Sequence, residues 1–199
     1  MAIAAGASAL GFVTKAVGPP ATIDNTEIAE IIGQIPPWIG TVVLTASQDV
    51  EEIRELQRQT RANAIQLVDR LSATQHRALR LAIPGVTLIQ VVHVTGEESF
   101  AEADAARDAH ALLLDSGNLS LPTKQFGGTG RSHDWRLSRR IRERSPIPVI
   151  LAGGLNAANV ASAINEVRPY AVDVCSGVRG DGVLNSERLT AFADAVRAT

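Results

Sequence analysis

The sequence predicts an α/β fold in which parallel strands alternate with covering helices, and three observations carry that prediction. Strand-like apolar runs alternate with amphipathic helical stretches along all 199 residues, with no linker or low-complexity segment between them. The chain is 45% hydrophobic but only 4% aromatic, so its core must be built from Ala, Val, Ile and Leu, as in buried parallel strands and the helices over them. Gly153-Gly154 and Ser176-Gly177 stand where the last two strands end, which brings backbone N–H groups close to a bound anion.

Taken in order, the apolar runs predict strands over 9–13, 41–45, 64–68, 87–92, 111–115, 149–152 and 171–175. Helical spacing falls between them, over 24–34, 48–60, 72–82, 97–108, 134–143, 157–167 and 186–197, with Asp24, Ser72, Asp134, Asn156 and Asn185 as caps. Seven strands, each with a following helix, make a (βα)8 barrel lacking its first strand. The opening MAIAAGAS reads as the last turns of a helix that ends at Gly6. A barrel of this kind usually needs about 250 residues and rarely fewer than about 200. Either the start lies upstream of Met1, or the barrel is open or completed by a partner. An open barrel exposes strand edges at Ala9 and Ala171, an aggregation hazard, so the expectation is an upstream start. Residues 1–199 are expected to form one domain.

A net charge of -2 and a pI near 6.1 argue against a nucleic-acid or membrane-surface partner. The basic run RLSRRIRER, 136–144, is interrupted at helical spacing by Leu137 and Ile141 and is read as a solvated helix face. Cys175 is the lone cysteine, which excludes an internal disulfide, and no run has the length of a membrane span or secretory segment. Cytoplasmic residence is expected, with no metal or cofactor.

Four ordered blocks then carry a resemblance: LLLDSG (112–117), GGTGRSHDW (127–135), LAGGLNAANV (151–160) and VDVCSGV (172–178). Together they resemble phosphoribosylanthranilate isomerase, a family of the tryptophan pathway, and AGASALGFV (5–13) and AIQLV (64–68) are similar to its second and fourth strands. The resemblance implies an Amadori rearrangement, in which an aminoaldose phosphate opens its ring and becomes an aminoketose. That chemistry needs an acid at the ring oxygen and a base at C2 of the sugar.

The resemblance places the acid at Asp115, where burial behind an apolar run would raise the carboxyl's pKa. The family's base, a cysteine in a Lys-Ile-Cys-Gly pattern on the first strand, has no counterpart in this sequence, and Cys175 falls where the family commonly has a serine. The base is then expected upstream of Met1 or, as the stand-in within this sequence, at His93 at a strand mouth, because imidazole titrates near neutrality. Phosphate binding is implied for Gly153, Gly154, Ser176 and Gly177, with Gly128 and Arg131 on a flap over the ligand and Gln66 matching a family strand end. The family's Ser-Pro-Arg is replaced by VGPPATI, leaving Lys15 as the nearby charge.

The resemblance thus predicts an isomerase of a phosphoribosyl amine, working as a monomer or homodimer on a phosphorylated small molecule. Two alternatives stay open: a barrel that binds a phosphate ligand without turnover, or another sugar-phosphate isomerase or epimerase. A Schiff-base aldolase would need a lysine at a strand end, and Lys15 and Lys124 both read as loop residues.

Overall fold

The computed structural model describes residues 1–15, 17, 23–117 and 133–199. Seven parallel strands form one sheet in chain order: β1 (Ala9–Val13), β2 (Gly40–Thr45), β3 (Ala64–Leu67), β4 (Thr87–His93), β5 (Ala111–Asp115), β6 (Val149–Leu151) and β7 (Ala171–Val172). The helices α1 (Asn25–Ile32), α2 (Val50–Thr60), α3 (Ala73–Ala82), α4 (Ser99–Ala105), α5 (Trp135–Arg144), α6 (Val160–Val167) and α7 (Ser186–Arg197) follow them one by one. Each strand from β1 to β6 pairs with its successor, so α1 to α6 are crossovers between neighbours, all of one hand.

Alternation along the strands sorts the core into layers. On the outer face, Phe12, Val43, Ile65, Leu67 and Leu88 meet Ile28, Ile53, Leu56 and Leu79 of α1 to α3. Leu112, Leu114, Val149 and Leu151 meet Phe100, Ile141, Val160 and Phe192 of the later helices. Each fully buried Leu or Ile side chain contributes about 1.5–3 kcal/mol. The inner face is lined by Ala64, Val68, Ile89, Val91, Ala111, Leu113 and Ala152, and Val42 and Leu44 of β2 pack against the same cluster as Ile150 of β6. The cluster thus runs without a break across the inner face from β2 to β6.

Helix starts follow the capping chemistry. Asp24, Asp134 and Asn185 accept from Thr26, Arg136 and Arg188 N–H groups, and Ser72 forms a capping box with Gln75. Asn156 behaves differently: its side chain accepts from Ala158 N–H and closes a separate turn, so α6 begins at Val160 rather than at residue 157. The last strand is also shorter than its apolar run suggests. It ends at Val172, because the chain then bends into a 3-10 turn, Ser176–Val178. A two-stranded antiparallel hairpin, β8 (Arg179–Gly180) and β9 (Val183–Leu184), follows it and was not anticipated. Its turn residues Asp181 and Gly182 both have positive φ, 49° and 78°, as a two-residue hairpin turn needs.

The arginines of 136–144 do line an exposed helix face. Arg139 and Arg140 pair with Glu143 and Glu97, and the guanidiniums of Arg140 and Arg144 lie 4.6 and 5.0 Å from the Phe100 ring centre.

At the chain's start, a 3-10 turn (Ile3–Ala5) ends at Gly6, and Ala2 and Ala5 pack against the outer core. Arg197 Nη1 of α7 donates to Ala5 O at 2.9 Å. The helical layer is therefore continuous from α7 to this turn, whereas among the described residues β7 and β1 do not pair.

Candidate active site

The C-terminal ends of the strands gather the polar side chains. His93 and Asp115 are the last residues of β4 and β5 and stand directly opposite each other in register. Both are buried, and both continue the inner-face alternation of their strands. His93 Nε2 lies 3.0 Å from Val68 O; a carbonyl only accepts, so Nε2 carries the hydrogen and Nδ1 keeps its lone pair. That Nδ1 is covered and has no hydrogen-bond partner among the described residues.

Asp115 Oδ1 accepts from Ser116 N–H at 2.7 Å, the local cap expected of an aspartate before Ser-Gly. Burial pushes the carboxyl's pKa above its ordinary value, and this outweighs the Ser116 amide and the His93 charge, which both favour ionisation. The carboxyl thus holds its proton more firmly than an exposed aspartate does.

Gly153, just after β6, adopts φ +83°, and a Cβ there would lie 3.0 Å from both His133 Nδ1 and Ser116 N and 3.1 Å from Asp115 Oδ1. The absent side chain is what lets the glycine turn close over the carboxyl. Gly177 solves a different problem. A Cβ on it would lie 1.9 Å from Leu155 O, so the 3-10 turn after β7 rests directly on the backbone that leaves the β6 turn. The Gly153-Gly154 turn and the Ser176-Gly177 turn are therefore one contiguous surface, and Asp115 touches its rim. Neither the Gly153 nor the Gly154 N–H makes a hydrogen bond to another described residue. Two such amides beside a 3-10 turn are what an anion requires.

Gln66 is buried on the inner face, in register with Ile89, four residues before His93 on β4. It lies two residues before Val68, whose carbonyl meets His93 Nε2. Gly128, Arg131, Lys124 and the expected flap lie outside the described residues. Lys15, at the end of β1, is tied to Asp24 at 2.7 Å. Cys175 is exposed.

Three further groups lie near the site: alternation with Val172 and Val174 places Asp173 on the interior side of its strand from sequence, whereas His133 and Glu102 were not picked out. His133 Nε2 lies 2.7 Å from Ser138 Oγ, and that hydroxyl donates to Asp134 O at 3.3 Å, so Nε2 holds the hydrogen and Nδ1 faces Gly153 with no hydrogen-bond partner among the described residues. Burial lowers the pKa of His133 to about 4, leaving it neutral. Glu102 of α4, paired with Arg70, is raised by burial and feels the charge of His93. Asp173 follows β7 on the inner side. The protein around it and the charge of Asp115 push its pKa up to about 6, while the Val174 N–H restrains the shift, and the residue as a whole is exposed. The position of His133 next to a helix cap and the Val-Asp-Val alternation at Asp173 were available signals; nothing marks Glu102. Among the described residues no group of His, Cys, Asp and Glu is arranged to hold a metal ion.

The family model for N-(5'phosphoribosyl)anthranilate (PRA) isomerase matches residues 1–195. The chain belongs to this family. The N-(5'-phosphoribosyl)anthranilate isomerase of Methanocella arvoryzae is 37% identical over 199 residues, covering 98% of this chain and 90% of the relative. That of Haloferax volcanii is 36% identical over 197 residues, covering 98% and 85%. Among solved structures, the phosphoribosyl anthranilate isomerase of Thermotoga maritima superposes with a TM-score of 0.84 at 29% identity, covering all of this chain and 92% of the other. A further isomerase structure, in complex with reduced 1-(o-carboxyphenylamino)-1-deoxyribulose 5-phosphate, gives 0.82 at 28% identity, covering 100% and 91%. The family's barrel is thus the fold of this chain, present here as seven parallel strands.

Proposed function

We propose that the chain is a phosphoribosylanthranilate isomerase of tryptophan biosynthesis, with Asp115 as general acid and the paired turns at Gly153-Gly154 and Ser176-Gly177 as the phosphate cup. The contact between Gly177 and Leu155 carries the reading, because it fuses two amide-bearing turns into one surface whose rim touches a buried carboxyl. The likeness to a structure holding a phosphorylated product analogue supports it.

With the phosphate in the cup, the sugar extends over the strand ends. Asp115 gives its proton to the ring oxygen as the C1–O bond breaks and the anilino nitrogen's lone pair forms the iminium. A base then takes the C2 proton to give the enolamine. Protonation at C1 and loss of the 2-hydroxyl proton complete the ketone, and the proton count balances. His93 ends the strand directly opposite the acid, and its tautomer, with Nδ1 unprotonated, is the one a base requires. The substrate is a phosphorylated small molecule, and the cup lies within one chain, so a monomer and a homodimer serve equally. No helix among the described residues is long and apolar enough to cross a membrane, which agrees with an enzyme of the cytoplasm.

One observation favours a second reading, a phosphate-ligand binder without turnover: the spare nitrogen of His93 is covered. Turnover of phosphoribosylanthranilate, followed by loss of its fluorescence, separates the two. The expected result is turnover by the wild type and a drop of about 10²–10⁴ in kcat for Asp115→Asn with ribose 5-phosphate binding retained. Binding without turnover in the wild type would establish the binder instead.

A further inference from the structure

Several strands end at one level, and the register carries a consequence for Asp173. Leu114 is opposite Leu151, and Leu151 is opposite Val172. One residue farther along, Asp115, Ala152 and Asp173 fall in a single row, with His93 beyond Asp115. The backbone bonds of that row are formed: Ala152 N donates to Leu114 O and Asp173 N to Leu151 O, each at 2.8 Å. Ala152 belongs to the inner cluster, while Val172 and Val174 pack against the outer one, so Asp173 faces the same concavity as Asp115. Two strand spacings, about 10 Å, separate the backbones of the two aspartates, a span that two inward-leaning carboxyls shorten. In that row Ala152 is the residue between them.

We propose that Asp173 is a positioning residue for Asp115, the two carboxyls sharing a single proton over Ala152. The inference rests on the isomerase reading for its purpose and on the register for its geometry. Two carboxylates facing one another resist double ionisation, so the pair retains a proton near neutrality where an isolated aspartate would lose it. Burial raises the proton affinity of Asp115, and the charge of Asp115 adds to the surrounding protein in raising that of Asp173, which keeps contact with solvent. The amide of the following residue, Ser116 or Val174, restrains each. Other ionisable groups near the pair, among the described residues, are His93 on β4, the neutral His133 ahead of α5, and Cys175 two residues beyond Asp173. Glu102 of α4 acts on His93 while paired with Arg70, and Lys15 at the end of β1 is occupied by Asp24. Asp173 thereby supplies the negative neighbour that keeps the acid protonated between turnovers.

Asp173→Asn keeps the shape and removes the second ionisation. Two readouts are taken on the full chain: the pH dependence of phosphoribosylanthranilate turnover between pH 5 and 9, and the carboxyl titrations of Asp115 and Asp173 by NMR. In Asp173→Asn, the Asp115 titration should move about one unit toward acid, with kcat at pH 7.5 down about tenfold and KM within about twofold. Asp173→Glu should restore both. In Asp115→Asn, the Asp173 titration should move the same way, so if one variant fails to fold the other still reports the coupling. Titrations that stay in place in both variants overturn the proposal. A wild type without turnover whose carboxyls still shift one another refutes the isomerase reading and leaves the shared proton standing.

Discussion

Gly177→Ala tests the cup at the contact that creates it. The added carbon would stand 1.9 Å from Leu155 O, whereas ordinary contact begins at 3.4 Å, so the 176–178 turn has to retreat by about 1.5 Å. Overpacking of this kind costs about 1–3 kcal/mol, which for a chain of this size lowers Tm by roughly 2–12 °C. The same retreat stretches the hydrogen bonds a phosphate would draw from the Ser176-Gly177 side beyond useful length. A hydrogen bond to a charged group contributes about 1.5–3 kcal/mol, so losing one weakens binding by roughly ten- to a hundredfold. Calorimetry with ribose 5-phosphate measures the affinity, and a thermal melt reports the strain. A variant that binds as tightly as the wild type and melts at the same temperature would refute the claim that the two turns form one anion site.

Gly153→Ala should act on the acid more than on the cup. Its new methyl meets Asp115 Oδ1, Ser116 N and His133 Nδ1 at a φ of +83°, so kcat should fall about tenfold or more while ribose 5-phosphate affinity falls less; equal losses in both would contradict this. His133 gives a pH dependence of known sign. Its folded pKa, about 4, lies below the ordinary 6.5, so the unfolded chain binds the proton first, and the stability held above pH 6.5 is lost as pH falls toward 4. The full shift corresponds to up to about 3 kcal/mol. Urea unfolding at pH 7 and pH 4.5 should show a smaller acid loss in His133→Phe than in the wild type, and parallel losses would place the acid sensitivity elsewhere.

Most of the architecture was readable from periodicity, because parallel strands buried on both faces are nearly continuous apolar runs. The strands 9–13 and 111–115 begin and end where their apolar residues do. Reading failed where tertiary neighbours decide. The run 171–175 is apolar enough to continue as a strand, but among the described residues only β6 pairs with it, and the chain folds back onto Leu155 instead. Asn156 offers a capping side chain, yet spends it on a turn ahead of α6. The Asp181-Gly182 hairpin was signalled by its own dipeptide and was overlooked amid the βα alternation.

The site divides in the same way. His93 and Asp115 could be placed at strand ends from the apolar runs before them, and their facing positions follow from simple register. Asp173 could not be matched with Asp115, because that requires knowing the offsets of three strands. His133 reaches Gly153 only through the packing of the residues ahead of α5.

The bond between Arg197 and Ala5 spans 192 residues of sequence. Fastening the turn Ile3–Ala5 to α7 couples the two: loosening one strips the cover from the other, over strand borders that do not pair among the described residues. Loop-closure entropy makes so distant a clasp one of the last links to form as the chain folds. Its late arrival would make the seam between first and last elements the place where unfolding starts.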